Sequence, residues 1–231
     1  MQEHTVKAFD QELTLLRGLI SEMGGRTEAA IAGAMSALVK HDSAVAAQVV
    51  ADDKLIDALE LEIERQAIQI IALRAPMAND LRELIAALKI ASVLERIGDY
   101  AKNIAKRTTL IGNLGKIEPL VLIPTMGEIA SDMVKQVLDA FAARDADLAV
   151  HVTEMDVKVD GFYNSVFRSL VTHMMENPST IGNAAHLLFV ARNLERIGDH
   201  ATNVAEMVYY AATGNHMPER EKIGDDQGQA G

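Results

Sequence analysis

The sequence has 231 residues, 49% of them apolar, and its 33 acidic and 22 basic side chains give a formal net charge of −11. This acidic balance argues against a nucleic-acid surface, which needs clustered lysines and arginines to neutralise phosphates. The absence of cysteine excludes disulfides and thiolate metal sites, so any metal must be held by oxygen or nitrogen ligands.

Apolar residues recur at intervals of three and four between sparse prolines and glycines, a pattern that predicts long helices. The six expected helices cover residues 6–38, 43–75, 79–111, 119–142, 147–175 and 179–213. Asp42 is placed to cap the second helix. A glycine-containing break at residues 112–116 separates the third helix from the fourth, and residues 219–231 form a polar tail.

The chain contains no uninterrupted apolar run of about 18 residues, the minimum for a membrane span. Its amino terminus lacks the apolar core of a signal peptide. We therefore expect a cytoplasmic protein that does not insert into the membrane.

The second half of the chain repeats the first. Residues 91–105 read ASVLERIGDYAKNIA and residues 191–205 read ARNLERIGDHATNVA, with ten identities in fifteen at an offset of 100. Upstream, three aspartates recur at an offset of 103, namely Asp42, Asp53 and Asp57 with Asp145, Asp156 and Asp160. Two constant offsets predict an all-α protein of two duplicated three-helix units, at residues 1–113 and 114–215, followed by a tail at 216–231.

Each repeated segment carries a narrow stripe of small residues centred on Gly98 or Gly198. A glycine inside a helix costs roughly 1 kcal/mol relative to alanine, so some compensation is needed at both positions. We expect the stripe to mark a close approach between packed helices.

A polar column runs beside each stripe and places carboxylates four residues apart on one helix face. Its members are Glu95, Asp99 and Asn103 in the first unit and Glu195, Asp199 and Asn203 in the second. Like charges at this spacing repel each other, which indicates a nearby cation. The preceding helices supply further aspartates at the same spacing, Asp53 and Asp57 in one unit and Asp156 and Asp160 in the other.

We interpret these eight carboxylates as candidate metal ligands, and all-oxygen ligands suit Mg²⁺, Mn²⁺, Ca²⁺ or iron, with Zn²⁺ also open. The alternative is a set of salt bridges to Lys102, Arg192, Arg96 or Arg196, although the two last arginines lie about 100° from the preceding glutamate on the helix. Taken as pairs, Asp52/Asp53 and Glu60/Glu64 are expected on an exposed helix face. His200, which replaces Tyr100 in the repeat, is expected to be a packing or surface substitution.

Helical carboxylate sites also occur in ferritin-like di-iron enzymes, but those require Glu-x-x-His on two helices. No histidine in this sequence has a glutamate three residues before it. Gly-rich phosphate loops, GxSxG and HExxH are also absent. The residues leave two functional classes open, a binding and signalling module and a carboxylate-bridged metal enzyme that acts on a phosphorylated compound.

The chain resembles the PhoU family over nearly its whole length. The segments that carry the resemblance are LERIGDYAKNIAK at 94–106, LERIGDHATNVAE at 194–206, RAPMANDLREL at 74–84 and the paired aspartates of the preceding helices. The resemblance implies two antiparallel three-helix bundles, often dimeric, with metal sites at Glu95, Asp99, Glu195 and Asp199 and the aspartate pairs nearby.

The resemblance further implies a negative regulator of phosphate uptake and the phosphate-starvation response, not an enzyme. Its expected partners are the ATPase subunit of the phosphate ABC transporter and the sensor histidine kinase of the phosphate regulon. Thr180 stands where the first unit has Asp80, so any role of Asp80 and Arg82 need not be duplicated.

Overall fold

The computed structural model describes residues 2–111 and 119–218, and their side chains within 9–111 and 121–218. The described residues form helices joined by turns, which confirms the all-α prediction. The helices are α1 (Gln2–Lys40), α2 (Ser43–Arg74), α3 (Asn79–Thr108), α4 (Pro119–Ala143), α5 (Ala146–Glu176) and α6 (Ile181–Thr213). The predicted tail at 219–231 and the predicted break at 112–116 both lie outside the described residues.

The helix ends repeat as the sequence does. Asp42 caps α2 by accepting hydrogen bonds from the backbone amides of Ala44 and Val45, and Asp145 caps α5 in the same way through Leu148. The preceding residues, His41 and Arg144, both have a φ of 53°. The offset between the two units changes from 103 to 100 in the connection between α5 and α6. A 3-10 turn (Pro178–Thr180) occupies this connection, and α6 begins two residues later than predicted.

Within each unit the three helices pack against one another, and the two units also pack together through α3 on α6 and α1 on α4. The buried apolar side chains of both units form one continuous core. None of the described helices has both the length and the apolarity that crossing a membrane requires.

The contacts between the units are reciprocal. Gly24 on α1 faces Leu138 on α4, and their counterparts Gly127 and Met35 face each other, with a Cβ at Gly127 placed 2.9 Å from Met35 Cγ. On the other seam, Tyr100 and His200, which occupy equivalent positions, meet edge to face at 5.2 Å. Contacts of this kind place a pseudo-two-fold axis between the two units.

Candidate functional site

The two glycine stripes lie directly against the aspartates of the neighbouring helix. A Cβ built at Gly98 would lie 2.9 Å from Ile56 Cδ1 and 3.9 Å from Asp53 Oδ1. A Cβ at Gly198 would lie 2.8 Å from Asp156 Oδ1. The predicted close approach is therefore present. Gly98 makes room for Ile56 of α2, and Gly198 makes room for the buried carboxylate of Asp156 on α5.

The first unit brings its four predicted ligands into one electrostatic cluster between α2 and α3. Burial raises the pKa of Glu95, and the charges of Asp99, Glu60, Asp57 and Asp53 raise it further. The pKa of Asp57 is raised by burial and by Asp53. The neighbouring carboxylates thus hinder the ionisation of Glu95 and Asp57, so a cation placed beside these two would be favoured.

Lys102 supplies part of that positive charge. Its ammonium lies 2.5 Å from Asp53 Oδ2 and also pairs with Asp99 Oδ1. Burial opposes the charged ammonium, but the hydrogen bonds to these two aspartates outweigh burial and raise the pKa of Lys102. The side chain that the sequence offered as a salt-bridge partner thus joins α2 to α3 inside the cluster.

The second unit has the same carboxylates with different neighbours. Burial raises the pKa of Glu195, Asp199 and Asp160 add to the effect, and Arg192 opposes it. Arg192 Nη1 lies 2.5 Å from Glu195 Oε1. Thr202 occupies the position of Lys102, and its hydroxyl donates to the Asp199 backbone carbonyl at 2.6 Å.

Two residues of the first cluster are less exposed than the sequence predicts. Asp53, as part of the Asp52/Asp53 pair, was expected on an exposed face, but it is only 7% exposed. Glu60 was also expected to be exposed, whereas it is half-buried and acts on Glu95. The spacing of Asp53, Asp57 and Glu60 at i, i+4 and i+7 puts all three on one helix face and could have revealed this.

The donor set fits a hard divalent cation, because it consists of carboxylates, of which Asp53 and Asp156 are buried and Glu95 and Glu195 are partly buried. Among the side chains that the structure describes, no three carboxylates or imidazoles are grouped as a metal site would group them. The eight-residue metal assignment therefore stays a prediction. In the first unit Lys102 would have to leave before Asp53 and Asp99 could both bind a metal, whereas the second unit has a threonine there.

His200 packs against Tyr100, as expected for a substitution at a packing position. Burial lowers the pKa of His200, and the charges of Arg96 and Arg196 lower it further, against the opposing effects of the Arg196 backbone carbonyl and Asp199. Arg196 also lies over the Tyr100 ring, at 5.8 Å from its centroid. Arg96 thus acts on His200 of the opposite helix, and Arg196 correspondingly acts on Tyr100.

The family model described as the PhoU domain matches this sequence twice, over residues 20–108 and 123–208. The chain belongs to the PhoU family. A phosphate-specific transport system accessory protein PhoU homolog of Zymomonas mobilis is 58% identical over 219 residues, which cover 95% of this chain and 92% of that protein. A PhoU homolog of the same description from Caulobacter vibrioides is 46% identical over 94% of this chain and 95% of its own length.

Solved PhoU structures share the whole architecture. The crystal structure of PhoU from Pseudomonas aeruginosa superposes with a TM-score of 0.85 at 40% identity, covering 90% of this chain and 100% of that one. The phosphate transport system regulatory protein PhoU from Streptococcus pneumoniae gives the same TM-score at 26% identity, over 91% of this chain and 100% of that one. The six-helix arrangement is therefore the PhoU fold, and the closely related proteins are accessory proteins of phosphate transport.

Proposed function

We propose that this chain is a cytoplasmic negative regulator of phosphate uptake and of the phosphate-starvation response. It relays the state of the phosphate ABC transporter, through the transporter's ATPase subunit, to the sensor histidine kinase of the phosphate regulon. It works as a homodimer and binds neither nucleic acid nor membrane directly.

The observation that carries this proposal is full-length similarity to accessory proteins. The Zymomonas mobilis relative is 58% identical over 95% of this chain, so both three-helix units are represented. Identity of this extent supports the same role in the same transport system. The regulatory description of the Streptococcus pneumoniae protein, which has the same fold, supports a signalling rather than a catalytic role.

The proposal is tested by deleting the gene from its host. We expect phosphate-starvation genes to be expressed in phosphate-rich medium, because the inhibitory link between transporter and kinase is lost. Expression is measured with a reporter, and the wild-type chain should restore repression. Phosphate-dependent expression that survives the deletion, together with metal-dependent turnover of phosphate esters by the purified protein, would replace the regulator by the carboxylate-metal enzyme.

We further propose that the carboxylate clusters bind a divalent cation such as Mg²⁺, Mn²⁺, Ca²⁺, Fe²⁺ or Zn²⁺. In the second unit its ligands would be Glu195, Asp199, Asp156 and Asp160. In the first unit they would be Glu95, Asp99, Asp53 and Asp57. A bound cation would favour the ionised forms of Glu95 and Glu195, whose pKa values are raised by burial and then by the neighbouring carboxylates. Lys102 competes with it in the first unit, so the second unit should bind more tightly.

Mn²⁺ binding to purified full-length variants tests this assignment. We expect Asp199→Ala to remove more bound Mn²⁺ than Asp99→Ala does, with unchanged helical circular dichroism. Lys102→Thr should strengthen binding to the first unit by roughly tenfold, because a like charge near 4 Å costs about 1–4 kcal/mol. Thr202→Lys should weaken binding to the second unit, and Lys40→Thr, which removes a charge from the end of α1, serves as the control. Unchanged binding in the Asp99→Ala/Asp199→Ala double variant would show the assignment to be wrong.

A further inference from the structure

A groove of about 720 Å³ runs along the seam where α3 and α6 pack antiparallel. Three basic side chains of α3, Arg82, Lys89 and Arg96, line it at intervals of seven residues. Its one carboxylate among the described lining residues is Glu206. The lining thus carries three positive charges and one negative charge, in a chain whose formal net charge is −11.

The groove floor is apolar. The apolar part of its lining includes Ile85, Val93, Met207 and Tyr210. Ile85 and Tyr210 are each 39% exposed, so both can contact a further molecule. A binding surface of this composition suits an occupant that is both apolar and acidic.

Arg82 is held at one end of the groove. Its guanidinium donates to the Asn79 side chain, and its Nε is buried without a hydrogen-bond partner. Gly214, which ends α6 with a φ of 75°, leaves room for this guanidinium, because a Cβ there would lie 3.3 Å from Arg82 Cζ. The turn that follows α6 therefore helps to position Arg82 at this end of the groove.

The length of the basic stripe favours a helix over a small anion. Arg82 and Arg96 are fourteen residues apart on one helix, a rise of about 21 Å. A phosphate ion reaches only one of the three cations. A helix with acidic residues at every seventh position and apolar residues beside them would meet all three and cover the apolar floor.

The basic stripe is not repeated in the second unit. The equivalent positions on α6 are Gly182, Phe189 and Arg196, with one charge instead of three. Arg107 from α3 lies over the Phe189 ring at 4.0 Å from its centroid, so this ring already has a partner. The pseudo-two-fold axis therefore relates the basic groove to a surface of different chemistry.

We propose that the α3/α6 groove is the docking site for an acidic amphipathic helix of a partner protein. The proposal rests on the regulatory function only in that such a function requires a protein partner. It assigns that contact to one face of the molecule and to one kind of partner segment. Docking is independent of the carboxylate clusters, which lie between α2 and α3 and between α5 and α6.

The test uses the purified full-length chain and a synthetic helical peptide of about 21 residues, three heptads long, with glutamate at every seventh position beside a leucine stripe. We expect binding that weakens as salt is raised and that is lost when the glutamates are replaced by glutamine. Lys89→Glu/Arg96→Glu should weaken binding at least about tenfold, since it reverses two charges of the groove. The control, Lys158→Glu/Arg168→Glu, makes the same change in net charge at two exposed positions of α5 and should leave binding unaltered.

Three results would overturn the proposal. In the first, both double variants lose binding equally. In the second, the glutamine peptide binds as tightly as the glutamate peptide. In the third, tripolyphosphate binds at the groove and the peptide does not. Circular dichroism establishes that each variant is folded. Failure of the peptide experiment would leave the deletion phenotype unchanged, so the docking proposal and the regulatory function are tested separately.

Discussion

Gly98 and Gly198 each lie in the middle of a long helix, where glycine is unfavourable by roughly 1 kcal/mol relative to alanine. A Cβ added at Gly98 or Gly198 would lie closer than 3.0 Å to a side-chain atom of the neighbouring α2 or α5. The missing side chain at Gly198 makes room for the buried Asp156, and the one at Gly98 makes room for Ile56 beside the buried Asp53. The glycines therefore belong to the same local arrangement as the acidic clusters.

Substitution of these glycines should show that relationship. Gly98→Leu and Gly198→Leu are expected to lower the free energy of unfolding by about 1–3 kcal/mol, because the added atoms overpack the seam. Gly198→Ala should raise the free energy of unfolding by less than the difference in helix propensity, which is about 1 kcal/mol. The reason is that the added Cβ would lie 2.8 Å from Asp156 Oδ1. Urea unfolding measures these differences.

Gly161 on α5 provides the matched control. A Cβ there has no atom within 4 Å, so Gly161→Ala should stabilise the protein by about 1 kcal/mol. An equal gain from Gly98→Ala, Gly198→Ala and Gly161→Ala would show that the close approach has no energetic weight.

The positions of the site residues within each helix could be predicted from the sequence, but their pairing between helices could not. Spacing within α3 and α6 was enough to select Glu95, Asp99 and their counterparts. The pairing of Lys102 with Asp53 depends on which residue of α2 faces α3, and the two are 49 positions apart. Helical periodicity fixes a face but does not identify the side chain opposite it.

At the scale of the helices, Glu83 ties three elements together. It is a buried residue of α3, and it pairs with Arg17 of α1 at 2.6 Å and with Arg144 in the turn between α4 and α5. Burial alone would raise the pKa of Glu83, but the two arginines outweigh it and hold the pKa below its ordinary value of 4.5. The pair between Glu83 and Arg144 therefore joins the first unit to the second.

Replacement of this carboxylate should destabilise the protein in a pH-dependent manner. We expect Glu83→Gln to lower the free energy of unfolding by about 2 kcal/mol at neutral pH, less than for a fully buried pair because both arginines are partly exposed. A lowered pKa in the folded state means that the stabilisation is complete above pH 4.5 and is lost as the pH falls through the folded-state pKa. The difference between wild type and variant should therefore shrink in acid.

Urea unfolding from pH 7 to acid measures this difference. Arg65→Gln breaks an exposed pair with Glu62 on α2 and serves as a control with an expected effect near zero. A constant difference across the pH range would rule out the ionised form of Glu83 as its cause.

The helices themselves were predictable because their signals are local. The aspartate caps, the apolar periodicity and the prolines placed the ends of most helices within a few residues. The start of α6 lies two residues later than predicted because the 3-10 turn at Pro178–Thr180 has no counterpart in the first unit. The packing of α3 on α6 and of α1 on α4 was not deduced, since contacts between repeats leave no periodic trace in the sequence.

For the whole molecule, the continuous core predicts a single unfolding transition. The chain has no tryptophan, so Phe9→Trp and Phe162→Trp can report separately on the two units. Both side chains pack against the core. Adding Leu94→Ala in the first unit should lower the unfolding free energy by about 2–5 kcal/mol and shift both signals together. Movement of the Phe9→Trp signal alone would show that the units unfold independently.

The reciprocal contacts at the two seams have a consequence for how the halves can differ. In an assembly of two identical chains, every substitution appears on both sides of the axis. Here the two halves are encoded separately, so one position can change while its counterpart is kept. Such pairs are Lys102 with Thr202, Tyr100 with His200, and Lys89 with Phe189. Because the two halves are joined in one polypeptide, a nearly symmetric fold can carry two unlike acidic clusters and one basic groove. A homodimer of single units could not differ between its halves in this way.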